Sequence, residues 1–212
     1  MKFNLFGISW AAYIFSTVIT LSVVAVFAAV AVDFIKYGGG ENAVKKSRRS
    51  IVATGSMAAF YAVYFAALRF GAGALHLENI WAAILGTAMI AAGAAVNISG
   101  RIQLGGNWAN HIKIYKGHHL VDCGVYRIAR HPLYSSLMLM LFGGSVAYTN
   151  WMGAVLTAFV FIPFMYYRAR QEETLLREEF AGYEGYMEST GMFFPKIWKI
   201  WKKGGKKDVR LP

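Results

Sequence analysis

Residues 133–167 read LYSSLMLMLFGGSVAYTNWMGAVLTAFVFIPFMYY, a run without a single charged side chain. One helical crossing of a bilayer takes ~20 residues, so the run is too long for one span and too apolar for a water-facing helix. Thr149 and Asn150 are turn formers near its middle. The run therefore predicts a helical hairpin, with arms at about Leu133–Tyr148 and Trp151–Tyr167. Pro163 has no backbone N–H to donate and predicts a kink in the second arm.

The rest of the chain agrees with a membrane setting. Of 212 residues, 57% are hydrophobic and 16% charged, and the mean hydropathy is +0.40. Ordinary soluble domains are less apolar than this. Three more spans are predicted at about Ile8–Val32, Ile51–Leu68 and Ile80–Ile98. The first is longer than the apolar core of a signal peptide and reads as a retained helix. The expected fold is an all-α integral membrane protein of about five transmembrane helices. A cytoplasmic loop follows span three, and a helical C-terminal tail follows the hairpin. The division expected is 1–98 for a three-span region, 99–195 for a functional core and 196–212 for a basic interfacial tail. Cys123 is the lone cysteine, so no internal disulfide is possible.

Charge sets the expected orientation. The formal net charge is +11. All of the 22 Lys and Arg except Lys2 and Arg69 fall in the loop after span one, the loop after span three, or the tail. The positive-inside bias predicts that these face the cytoplasm, with the N-terminus outside. Trp10, Trp81 and Trp151 then form a belt at the outer interface. With the basic residues beside apolar spans, anionic lipid headgroups are the expected partner rather than nucleic acid. The tail KIWKIWKKGGKK would meet them through its lysines while Ile197, Trp198, Ile200 and Trp201 dip into the interface. The five spans carry no charged residue or histidine, which argues against a pump or channel. Chemistry is expected at the cytoplasmic helix ends.

Two charged clusters stand there. One is Arg130-His131-Pro132 with Tyr134, at the start of span four; the other is YYRARQEE, residues 166–173, at the end of span five. A hairpin brings both to the same membrane face. On a helix Arg168 and Glu172 share a face, and Glu173 would pair with Arg177. A guanidinium fork suits a carboxylate, and Glu172 suits an ammonium or a ribose hydroxyl. The set fits a ligand carrying both charges. The bland alternatives are a snorkelling Arg130 beside a first-turn proline, and a solvated helix end at RARQEE. His118, His119, Cys123 and His131 fit no metal-ligand spacing, so no metal is expected.

The ordered set GHHLVDCGVYRIARHPLYSS, apolar hairpin, RARQEETLLREEFAGYEGYMESTGMFFP resembles the isoprenylcysteine carboxyl methyltransferase family over roughly residues 107–195. It is similar, more distantly, to phospholipid N-methyltransferases, and its RHPxY element occurs also in membrane sterol reductases. The resemblance implies S-adenosyl-L-methionine as the cofactor. It implies contacts to it from His118, Leu120, Val121, Tyr126, His131, Pro132, Leu133, Tyr134 and Glu172, with Arg168 facing the acceptor. Arg168 and Glu172 would be the catalytic pair. The implied function is methyl transfer to a lipophilic acceptor that arrives sideways from the bilayer, as in carboxyl methylation of an isoprenylcysteine. A carboxylate is already ionised and needs orientation, whereas an amine would need Glu172 or Glu173 as base. The other readings are a phospholipid amine N-methyltransferase, a sterol-type reductase, and a non-enzymatic lipid-binding membrane protein.

Overall fold

Trp10, Trp81 and Trp151 each stand at the start of a long helix, and all three are exposed at the same end of the molecule. The structure is a computed structural model and describes residues 10–37, 43–46, 50–70, 79–107, 113–115 and 120–196. His118, the beginning of the first span at Ile8 and the tail beyond Lys196 lie outside the described residues. The helices are α1 (Trp10–Tyr37), α2 (Ser50–Phe70), α3 (Ile80–Leu104), α4 (Pro132–Ala147), α5 (Trp151–Leu156), α6 (Ile162–Glu179) and α7 (Tyr183–Ser189). A short antiparallel pair, β1 (Ala43–Lys46) with β2 (Lys113–Tyr115), ties the loop after α1 to the loop after α3.

The protein is an all-α membrane protein apart from that pair. Trp10–Lys36, Ile80–Leu104 and Trp151–Glu179 are long and apolar enough to cross a membrane. Ser56–Phe70 and Pro132–Ala147 are shorter apolar helices. The expected hairpin is present, turning at Tyr148–Thr149, with Asn150 accepting from the Gly153 N–H at 3.0 Å to cap α5. The kink expected at Pro163 takes the form of a π-helical turn, Thr157–Phe161, where the Ile162 N–H reaches Thr157 O. One inserted residue accommodates the missing proline N–H while α5 and α6 stay one continuous helix.

α3 and α4 form the tightest crossing. A Cβ added at Gly86 would lie 2.4 Å from Ala147 N and Gly143 O. Only glycine permits this backbone approach, and in lipid such close packing is the main force joining helices. Gly93 meets Ser136 and Met140 further along, and Gly100 meets Leu133. The two helices are therefore antiparallel. The core beside them joins Phe60, Tyr64 and Leu68 of α2 to Met138 and Leu141 of α4, and to Phe161 and Met165 on the second hairpin arm.

Asp33 and Arg101, which lie just beyond the expected spans, stay within helices. α1 and α3 run past Val32 and Ile98, and Asp33 pairs with Arg101 at 2.6 Å. Arg101 Nε donates to Asn97 at 2.8 Å, Asn97 donates to Ser136 Oγ at 2.7 Å, and Ser136 donates to Leu133 O at 2.7 Å. Pairing is what lets these groups remain helical without reaching water. This chain of bonds ties α1, through α3, to the first turn of α4.

Because Leu133 packs at Gly100 while α3 continues to Leu104, α4 starts below the end of its neighbour. α6 continues further still, past Glu172 to Glu179. The first turn of α4 thus lies in a recess at the charged end of the bundle.

Candidate functional site

Pro132 opens α4, where its missing N–H costs nothing, and His131 is the residue before it. Arg130 and His131 are held by backbone bonds as well. The Arg130 N–H donates to Gly191 O at 2.8 Å and the His131 N–H to Met192 O at 3.0 Å. The segment 187–193 thus folds back over the threshold of α4. Gly191 is needed there, since a Cβ would sit 1.8 Å from Phe194 O.

Six charged or titratable side chains converge on this threshold. Arg130 Nε donates to Glu173 Oε1 at 2.8 Å and its Nη2 stands 2.7 Å from the same oxygen. Arg130 Nη1 donates to Met187 O at 3.2 Å and to Thr190 O. His131 lies between two carboxylates, with Nε2 3.3 Å from Glu173 Oε1 and Nδ1 3.4 Å from Glu172 Oε2. Tyr134 OH donates to Glu172 Oε1. Arg168 Nη2 is 3.9 Å from that oxygen, and its guanidinium stands over the Tyr134 ring at 5.9 Å. The His131 and Tyr134 rings stack at 5.5 Å, 4° from coplanar. Glu172 keeps 23% of its side chain exposed against 2% for Glu173, so the recess opens at Glu172.

His131, Tyr134, Arg168 and Glu172 come together as the hairpin requires. Tyr126 and Val121 are buried and Leu120 half-buried along the approach to α4. Tyr126 O accepts from Tyr186 OH at 2.6 Å, which fastens this approach to α7. Leu133 turns its side chain toward Gly100 of α3. Glu173 does not take the expected partner Arg177. The side chain points inward, and the nearest cation on that side is Arg130, 43 residues back; Arg177 Nε reaches Met187 Sδ instead. Arg130 is correspondingly buried and fully engaged rather than snorkelling. Met57 was not foreseen at all: α2 brings its thioether to 3.4 Å from Arg168 Nη1. Among the described residues no group of His, Cys, Asp and Glu is arranged to hold a metal.

Both nitrogens of His131 face carboxylates, which only accept hydrogen bonds. A neutral imidazole can donate from one nitrogen alone, so the arrangement calls for the imidazolium. Burial works against that charge, but the hydrogen bonds and charges of Glu172 and Glu173 outweigh it and raise the pKa above the usual 6.5. A raised folded-state pKa adds stability that is complete below pH 6.5 and is lost as pH climbs through the folded value. Thermal unfolding of the wild type and of His131→Gln, followed upward from pH 6.5, is expected to show the wild type losing its advantage as pH rises. Parallel curves would contradict a charged His131.

With His131 charged, three cations face two carboxylates, and one oxygen is left over. Glu173 Oε2 is buried and has no hydrogen-bond partner among the described residues. A buried lone acceptor of this kind suits a donor supplied by a ligand.

Residues 84–178 match the model of the Isoprenylcysteine carboxyl methyltransferase (ICMT) family. The chain is similar to "Protein-S-isoprenylcysteine O-methyltransferase A" of Arabidopsis thaliana, 35% identical over 123 residues, which cover 57% of this chain and 62% of that protein. It is also similar to "Protein-S-isoprenylcysteine O-methyltransferase B" of the same plant, 32% identical over 106 residues, 49% of this chain and 54% of the relative. A third match, "Probable protein-S-isoprenylcysteine O-methyltransferase" of Oryza sativa subsp. indica, is 29% identical over 126 residues, 58% of this chain and 66% of the relative. The chain spans between about half and two thirds of the length of these curated relatives.

Proposed function

We infer, for a chain whose residues 84–178 match the model of the isoprenylcysteine carboxyl methyltransferase family, that it methylates the carboxylate of a lipophilic acceptor using S-adenosyl-L-methionine. The observation that carries this reading is the position of Arg168. Its guanidinium ends an apolar seam in which Phe60 and Phe161 rings meet at 5.0 Å, and Glu172 follows one turn later. An apolar body with a carboxylate at its end is the ligand that such a seam and fork suit.

The cofactor supplies an electrophilic methyl group on a sulfonium. Its polar parts match the donor set at the recess. Glu172 and the lone Glu173 oxygen accept from an ammonium or ribose hydroxyls, and the stacked His131–Tyr134 pair offers a flat face. Leu120, Val121, Tyr126 and Pro132 stand along the approach to α4, Leu133 turns to Gly100 of α3, and by family resemblance they and His118 contact the cofactor. Arg168 orients the acceptor carboxylate. It shares its charge with Tyr134 and Glu172, so it positions the nucleophile without quenching it. No general base is required for an ionised acid. Glu172 is already held by Tyr134 and His131, which disfavours it as the base an amine acceptor needs.

Twenty of the 22 basic residues fall in sequence in the two loops and the tail assigned to the Arg168 side, and by the positive-inside bias that side, with the C-terminus, is cytoplasmic. The polar cofactor then comes from the cytosol and the acceptor from the bilayer. Calorimetry in nanodiscs, with no metal added, is expected to show binding of S-adenosylmethionine or its demethylated product. Absence of heat and of any thermal shift at millimolar cofactor would remove the methyltransferase reading.

A further inference from the structure

Residues 84–178, the segment shared with the family model, do not include α2. Yet α2 touches the group to which the acceptor is assigned. Met57, Phe60, Tyr61 and Tyr64 recur at helical spacing and form one face of α2. Residues 161, 165 and 168 form one face of the second hairpin arm. The faces meet antiparallel: Phe60 and Tyr61 against Phe161, at 5.0 and 6.3 Å between rings, and Met57 against Arg168. Met57 is half-buried and packs on the same core cluster.

A thioether is a weak acceptor for a guanidinium N–H, far poorer than a carboxylate. A carboxylate reaching Arg168 Nη1 would therefore displace it at little cost. Methionine is also the apolar side chain best able to move aside and repack, having three rotatable bonds and no branch. We propose that Met57 is a specificity-determining residue: it stands in for the acceptor carboxylate at Arg168 and, once displaced, packs against the acceptor tail next to that carboxylate. The shared core would then supply the methyl-transfer site, and α2, outside it, would choose the acceptor. This proposal rests on the carboxyl methyltransferase reading above.

The test uses the full chain in nanodiscs, labelled S-adenosylmethionine, and S-alkylated N-acetylcysteines bearing apolar tails of three increasing widths. Met57→Ala is expected to change the ratio of kcat/KM between the widest and narrowest tails by about tenfold in favour of the widest, the scale of a missing methylene or two in an apolar pocket. The KM for S-adenosylmethionine is expected to stay within about twofold, which also reports that the variant is folded. Met57→Leu keeps the bulk and should keep the wild-type order of tails while lowering the KM of all three, because the competing sulfur is gone. A uniform loss across tails, or no change, overturns the proposal and leaves the activity standing. A wild-type chain that binds the cofactor but methylates none of the acceptors overturns both the proposal and the carboxyl reading.

Discussion

Arg130→Met is expected to destabilise the protein by about 3–5 kcal/mol, the cost of removing one partner of a buried ion pair. Glu173 would keep its carboxylate in a place where its side chain is 2% exposed. The carbonyl of Thr190 would lose the Arg130 donor as well, while that of Met187 would keep Lys196 Nζ at 2.8 Å. Adding Glu173→Leu should recover much of that loss, since an apolar pair of similar volume replaces two buried charges. Unfolding in detergent, by heat or by rising denaturant, measures both variants. A single variant as stable as the wild type would show that the ion pair contributes nothing. A double variant no better than the single would place the effect in the lost carbonyl bonds instead.

The second large effect is expected in turnover. Arg168→Ala should lower kcat by roughly 10²–10³, the scale on which a single preorganised donor acts, with cofactor affinity nearly intact. Arg168→Lys should restore only part, because an ammonium lacks the planar fork. Glu172→Gln should act differently and weaken cofactor binding by about ten- to a hundredfold, the loss of one charge-assisted hydrogen bond. Titration of each variant with S-adenosylmethionine, followed by single-turnover transfer, separates the two roles. If Arg168→Ala abolished cofactor binding while Glu172→Gln left it alone, the roles would be reversed. If neither variant changed binding or turnover, both side chains would be ordinary decoration of a helix end.

What could be read ahead of the structure was whatever the chain states locally. The uncharged run 133–167 announces a hairpin, and a hairpin forces its two ends together, so His131, Tyr134, Arg168 and Glu172 were legible as one cluster. The spacing of Arg168 and Glu172 is a one-turn relation that needs no tertiary knowledge. Partners chosen across the fold were not legible. Glu173 had a helical neighbour in Arg177, and local rules favour it; only the inward turn of α6 gives Glu173 to Arg130. The pairing of Asp33 with Arg101 was not legible either, because nothing local says that α1 and α3 end side by side. Met57 sits in an apolar run with no motif around it. The bonds from Arg130 and His131 to Gly191 and Met192 are made by backbone atoms, which every residue carries, so no residue type marks them.

The fold-back of residues 187–193 onto Arg130 and His131 also bears on how the protein is made. Glu173 and the carbonyl of Thr190, which satisfy Arg130, lie 43 and 60 residues after it in the chain. A ribosome adding about 5–20 residues per second produces the last of them some 3–12 seconds later. Until then α4 must be inserted with an arginine and a histidine at its threshold and without the carboxylates of Glu172 and Glu173. The growing chain is expected to hold that threshold at the lipid headgroups, and to draw it into the recess only when the second hairpin arm and the segment after α7 arrive. Translation stalled before Glu173 would leave a nascent chain whose arginine is still open to crosslinking with the membrane surface.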